Sequence, residues 1–118
     1  MTLKHFNLEE DPKMAGLDNA LMMQLDNARD MAGVPFVITS GLRTPEESIT
    51  CGGYATDPHT KGLGADIASE NDQTNLRIIY GALVAGFCRI FIGKGHIHLD
   101  IDKDEPQNVL GVEKNYFS

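Results

Sequence analysis

"CRIFIGKGHIHLDID", residues 88–102, decides the fold of this chain. Two apolar runs flank Gly93-Lys94-Gly95, a pattern that predicts a β-hairpin with a short glycine-bearing loop. Along the second arm the side chains alternate. Ile97, Leu99 and Ile101 fall on one face of a strand, and His96, His98, Asp100 and Asp102 on the other. The apolar row belongs against helices. The polar row then faces an open groove.

Two helical patterns supply the cover. Residues 17–32 carry Leu17, Leu21, Leu25 and Ala28 at helical spacing, with Met22 and Met31 widening the stripe as core filling. Gly33 and Pro35 stop that helix. Residues 74–86 read as a second helix, with Leu76, Ile79, Tyr80, Leu83 and Val84 as its buried stripe, Thr74 as its cap and Gly86 just past its end. Between the two, Phe36 to Thr39 are strand formers and Gly41 ends the run. In "TPEE" (44–47), Thr44 is placed as N-cap, Pro45 as the first helical residue and Glu47 as the partner of a capping box. A short helix therefore starts immediately after Arg43, which is held at a strand-to-helix junction. Residues 49–62 read as a surface loop and "LGADIA" (63–68) as a strand. The tail 103–118 has mixed composition and is expected to pack loosely. The order predicts one α+β domain over residues 1–118, a small antiparallel sheet with helices on one face and the groove on the other.

Composition narrows the partners. The 118 residues hold 42% hydrophobic and 23% charged side chains, ordinary for one globular domain. Net charge is −7, from 10 basic and 17 acidic residues, which disfavours nucleic acid or an anionic membrane surface as partner. No apolar run approaches the ~18 residues of a spanning helix. The opening "MTLKHFNLEEDPKM" lacks the apolar segment of a secretory signal, so synthesis in the cytoplasm is expected, with work at a cell wall only after release. Cys51 and Cys88 are too few for a disulfide framework, and reduced thiols are expected.

Apart from His5, the histidines lie in two segments. His59 is followed seven residues on by Asp66, and His96 and His98 share the strand. Two imidazoles and one carboxylate, with a fourth position left to water, is how a catalytic zinc is held. The glycines at 62 and 64 let the backbone turn so that His59 and Asp66 point at one spot. His98 reaches that spot if the hairpin pairs beside strand 63–68. On spacing alone, the same residues read equally as surface and loop histidines without a metal.

Taken together, "SGLRTPEES" (40–48), "PHTKGLGAD" (58–66) and "HIHLD" (96–100) resemble the zinc D-Ala-D-Ala metallopeptidases of the M15 type. Their wider group includes lysostaphin-like and murein endopeptidases and the hedgehog signalling domain. The family pattern is S-G-x-R, then H-x6-D, then H-x-H or H-x-D, and "HFNLEEDPKM" (5–14) resembles the opening of many short members. The resemblance implies His59, Asp66 and His98 as zinc ligands. It implies Arg43, in the motif begun by Ser40, as the residue that grips a substrate carboxylate or orients the scissile carbonyl. His96 corresponds to the histidine that acts as base or oxyanion stabiliser. Asp100 is placed to orient a ligand imidazole. Two positions depart from the pattern. Gly95 stands where many members carry a glutamate base, and Asp57 where they carry a substrate-contacting serine.

The implied activity is a zinc-dependent peptidase, a hydrolase of peptidoglycan stem peptides. It acts as a D-Ala-D-Ala carboxypeptidase or a murein endopeptidase, in the manner of a phage or prophage endolysin in cell wall degradation. The alternative is a non-catalytic zinc-binding or partner-binding domain of the same fold.

Overall fold

The computed structural model describes residues 2–114 and 116. Residues 1, 115, 117 and 118 of the expected domain and tail lie outside the described residues. The elements run α1 (Asn19–Ala32), β1 (Ile38–Ser40), α2 (Pro45–Thr50), β2 (Gly64–Ala68), α3 (Asp72–Val84), β3 (Arg89–Gly93), β4 (His96–Asp100) and β5 (Val109–Val112). Single 3-10 turns sit at Pro12–Met14 and Pro58–Lys61.

The hairpin forms as the sequence predicts. β3 and β4 pair antiparallel, Ile90 opposite Leu99 and Ile92 opposite Ile97, and Gly95 takes a positive φ of 75° in the turn. β4 is central in a five-stranded sheet of order β1-β2-β4-β3-β5. Ile97 and Leu99 are fully buried, each contributing about 1.5–3 kcal/mol by leaving water. Four strands make the expected antiparallel sheet. The fifth corrects the expectation of a loose tail: β5 adds to β3 in parallel, Ile92 opposite Val112, so the sheet is mixed. A four-residue strand among polar residues is too short to raise a period-two signal.

The two long helices cover the apolar face, packed on each other. α1 buries Leu21, Met22, Leu25, Ala28 and Ala32. It begins after Asp18, whose Oδ1 accepts from the Ala20 N–H at 2.8 Å, so Leu17 is buried just before the helix rather than in it. Met31, expected in the stripe, is 42% exposed. α3 corrects a larger expectation. Leu76, Tyr80, Leu83 and Val84 all face outward, Ile79 is half-buried, and the inner face is Ile78, Gly81 and Ala82. The reason is how closely the helices approach. A Cβ on Gly81 would lie 2.3 Å from the Ala28 carbonyl oxygen and 2.7 Å from the Ala32 Cβ. Small residues on both helices set that distance, and larger ones do not fit between them. Arg77 Nε closes the end of α1 by donating to the Ala32 carbonyl at 2.8 Å. Asn71, not Thr74, caps α3, accepting from the Thr74 N–H.

Residues 2–17 plug the edge of this core with Phe6, Met14 and Leu17, and the Lys4 and His5 N–H groups donate to the buried Asp26 carboxylate at 2.8 and 2.7 Å. Among the described residues no helix is long and apolar enough to cross a membrane.

Candidate metal centre

The face of the sheet away from the helices carries the polar row, as the alternation requires. Asp66 on β2 stands directly across from His98 on β4. A register shift between Ile38 and Ser40 brings Ser40 opposite Asp66. His59 arrives from the 3-10 turn at Pro58–Lys61, which ends on Gly62 at φ 71° before the chain enters β2. The Arg43 N–H donates to the His59 carbonyl at 3.1 Å and ties this turn to the start of α2. The capping box of Thr44 and Glu47 forms as the sequence predicts. Arg43 therefore points into the groove from a backbone fixed on both sides.

Three lone pairs meet at the groove floor. His59 Nε2 is 3.2 Å from Asp66 Oδ1, His98 Nδ1 is 3.0 Å from the same oxygen, and the two imidazole nitrogens are 3.2 Å apart. Ligands at the zinc distances of 2.0–2.1 Å in a tetrahedron are about 3.3 Å from one another. The triangle has that size. All three side chains are buried, at 4–9% exposure.

The opposite ring nitrogens fix the tautomers. His59 Nδ1 donates to the Gly41 carbonyl at 2.8 Å, and His98 Nε2 donates to Asp100 Oδ2 at 2.7 Å. In the neutral rings, Nε2 of His59 and Nδ1 of His98 are then the lone-pair nitrogens, both aimed at the Asp66 carboxylate. Three acceptors this close repel unless a cation or a proton sits among them. The donor set fits a zinc ion.

Electrostatics agree. Burial works against charge on Asp66, yet the His59 and His98 imidazoles set against it hold its carboxyl well below the usual carboxylate range. Burial also works against charge on His98, but hydrogen bonds to Asp100 and Asp66 raise it to about 9 in the metal-free protein. Asp100 is itself braced, accepting from Arg89 Nε at 2.6 Å and from the Asp102 N–H at 3.1 Å.

Arg43 and His96 line the same groove, which has a volume of about 750 Å³. Arg43 Nε donates to Ser40 Oγ at 2.9 Å and its Nη2 to Asp66 Oδ2 at 3.2 Å. Asp66 thus presents one oxygen to the imidazoles and the other to Arg43. Asp57 lies in the groove wall, but its Oδ1 accepts from the buried Ser48 hydroxyl at 3.2 Å, bracing the turn rather than reaching into the groove. His96 Nε2 is 3.9 Å from Asp66 Oδ2 and hydrogen-bonds Glu113. His5 pairs with Asp30, away from the site. Cys51 is exposed and Cys88 half-buried, both free thiols.

Sequence reasoning missed two residues of this site. Arg89 shares the period-two face with Phe91 and Gly93, a signal masked by the apolar run around it. Glu113 continues the alternation of Val109 and Gly111 just past β5, in a segment read as loose.

Two buried imidazoles and a carboxylate converging at the floor of an open groove define a candidate metal-dependent hydrolase. The chain belongs to the Peptidase M15 family, which matches it over residues 1–100. In fold it is similar to the L-Ala D-Glu endopeptidase ChiX of Serratia marcescens, with a TM-score of 0.57 at 19% identity, covering 87% of this chain and 92% of that one. No curated protein matches it in sequence. Glu113 and β5 lie beyond the residues matched to the family.

Proposed function

We propose that this chain is a zinc-dependent peptidase that hydrolyses peptidoglycan stem peptides. The observation that carries the proposal is the triangle of His59 Nε2, Asp66 Oδ1 and His98 Nδ1, 3.0–3.2 Å on each side. Membership of a peptidase family supports the reaction class. The substrate class rests on the sequence motifs, and the fold likeness to an enzyme named for an L-Ala D-Glu bond is in keeping with it.

His59, Asp66 and His98 would hold the ion. When bound, zinc supplies Lewis acidity to the scissile carbonyl and acidifies water. The protein's own groups do the rest. Gly41 and Asp100 lock the two ligand rings in the tautomers that offer lone pairs to a cation. Arg43 presents guanidinium N–H donors to a substrate carbonyl or carboxylate beside the triangle. His96, at the triangle's edge, assists proton transfer or stabilises the developing oxyanion. Phe91 and Tyr54 wall the groove and exclude water, with the Tyr54 hydroxyl anchored on Glu105.

We read the cleavage as internal to the stem, in keeping with the fold likeness to an endopeptidase. Two of the five Arg43 guanidinium N–H donors are engaged, by Ser40 and Asp66, which leaves the others for a substrate carbonyl. A lytic role in phage or prophage release belongs to the same proposal, and would appear as cell lysis on co-expression with a membrane pore former.

The direct test is digestion of purified murein and of a D-Ala-D-Ala peptide, with and without a chelator, read by mass spectrometry. Chelator-sensitive cleavage inside the stem is expected. Release of D-alanine alone would make the chain a carboxypeptidase, and no cleavage of either would overturn the proposal. His96→Ala separates an enzyme from a zinc-binding module. An enzyme loses turnover by orders of magnitude and keeps its metal.

A further inference from the structure

We infer that Glu113 is a positioning residue of the active site, holding the His96 imidazole at the edge of the donor triangle; this rests on the peptidase reading above. Each ring at the groove floor is fixed through one nitrogen by an oxygen acceptor: His59 by the Gly41 carbonyl, His98 by Asp100. His96 is fixed at both. Its Nδ1 meets the Lys94 carbonyl at 3.1 Å and its Nε2 meets the Glu113 carboxylate. This two-point hold leaves Nε2 3.9 Å from Asp66 Oδ2, beside the triangle.

The fold makes room for this pair. β3 lies between β4 and β5, and its last residue is Gly93. A Cβ there would lie 2.3 Å from His96 Nε2 and 2.7 Å from Glu113 Oε1. The imidazole and the carboxylate therefore meet in the space that any other residue at 93 would fill. The backbone end is also pinned, because the Glu113 N–H donates to the Ile92 carbonyl at 2.8 Å. An ordinary surface ion pair needs neither the glycine cradle nor the parallel strand, and contributes little to stability. The arrangement instead resembles the support that metal-site imidazoles receive from neighbouring carboxylates. It makes β5, which lies beyond the family match, part of the catalytic apparatus.

The test compares Glu113→Ala and Glu113→Gln in the full-length protein. With murein fragments as substrate, Glu113→Ala should lower kcat by about 10- to 100-fold, leaving KM and one bound zinc per chain unchanged. Glu113→Gln should recover most of the loss, because its amide oxygen accepts the same hydrogen bond. Equal kcat in wild type and Glu113→Ala overturns the inference. So does a Gln variant as slow as the Ala variant, which would make the carboxylate itself a proton acceptor. A readout without turnover is nitrogen NMR of 15N-histidine protein stripped of metal. The His96 ring signals should move in Glu113→Ala and return in Glu113→Gln, while those of His59 and His98 stay in place. Unmoved His96 signals in Glu113→Ala, with an active wild type, sink this inference alone. A wild type without chelator-sensitive cleavage sinks the peptidase reading, and the catalytic role of Glu113 with it.

Discussion

His59 and His98 face each other across the groove floor with Nε2 and Nδ1 3.2 Å apart, and each ring donates from its other nitrogen to a fixed oxygen. Thirty-nine positions separate them in sequence. Their shared neighbour is a single oxygen of Asp66. A positive charge between them relieves the repulsion of the three acceptors, and Asp100 and Asp66 favour a proton on His98 in that place.

A metal ion held by this triangle would compete with that proton. Burial opposes the charged ring, but Asp100 and Asp66 raise His98 to about 9, from 6.5 for a free imidazole. A raised folded-state value means that the proton stabilises the metal-free protein fully below about pH 6.5, and that this contribution is lost as pH rises through about 9. Thermal unfolding in chelator should give a lower Tm at about pH 9.5 than at about pH 6. Zinc loading near neutral pH should release protons, and apparent affinity should weaken as pH falls. Calorimetric titration in buffers of different ionisation enthalpy measures that release. His59→Ala, Asp66→Ala and His98→Ala should each abolish it.

Asp100 acts through two partners. It orients His98 and is buried against Arg89, whose Nε is 2.6 Å away. Asp100→Asn should lower zinc affinity or turnover by about 10- to 100-fold with the fold retained. Asp100→Ala additionally leaves the buried Arg89 guanidinium with no acceptor in place of Asp100, where the Asn amide oxygen would keep one, a loss of about 3–5 kcal/mol. Urea unfolding of the two variants separates the effects. Equal stability would refute the buried pairing.

The contact between α1 and α3 is set by a glycine. Gly81→Ala places a methyl group 2.3 Å from the Ala28 carbonyl oxygen, so the helices must separate. Overpacking of this kind destabilises by about 1–3 kcal/mol. By contrast, Leu83→Ala on the exposed outer face should fall within about 0.5 kcal/mol of wild type. Chemical denaturation tests both, and a large loss at Leu83 would place the buried stripe back where the apolar pattern puts it.

The capping box at the start of α2 has a consequence for the groove. Thr44→Ala removes the acceptor of the Glu47 N–H, found at 3.1 Å, and should lower stability by about 1 kcal/mol. Because Arg43 is the adjacent residue, KM for a stem peptide should rise as well. A variant with the stability loss and an unchanged KM would show that Arg43 is held by Ser40 and Asp66 alone.

The hairpin, the cap at Thr44 and the strand through Asp66 were legible in the sequence because each depends on local chemistry, whereas spacing left the grouping of His59, Asp66 and His98 open and the family resemblance of the motifs pointed to it. Glycines mark turns, a Thr-Pro-x-Glu run marks a helix start, and period two assigns faces. The buried side of α3 was not legible. Amphipathic spacing weighs residues by hydrophobicity, whereas the packed face was chosen by the volume available between two helices, which favours Gly81 and Ala82 over Leu83 and Val84. β5 was hidden for a related reason. A short strand draws its pairing from β3, a partner it meets only in the folded chain, so Glu113 carried no local mark of its place beside His96.

Asp66 divides its carboxylate between Arg43 on one oxygen and the imidazoles on the other. On the proposed function, occupancy of the peptide subsite and retention of the ion would be thermodynamically linked: a ligand that draws the guanidinium away would alter the charge Asp66 offers the cation, and such a coupling is reciprocal. Substrate should change the rate at which a chelator strips the protein, and a rate unchanged by substrate would show the two oxygens of Asp66 acting independently.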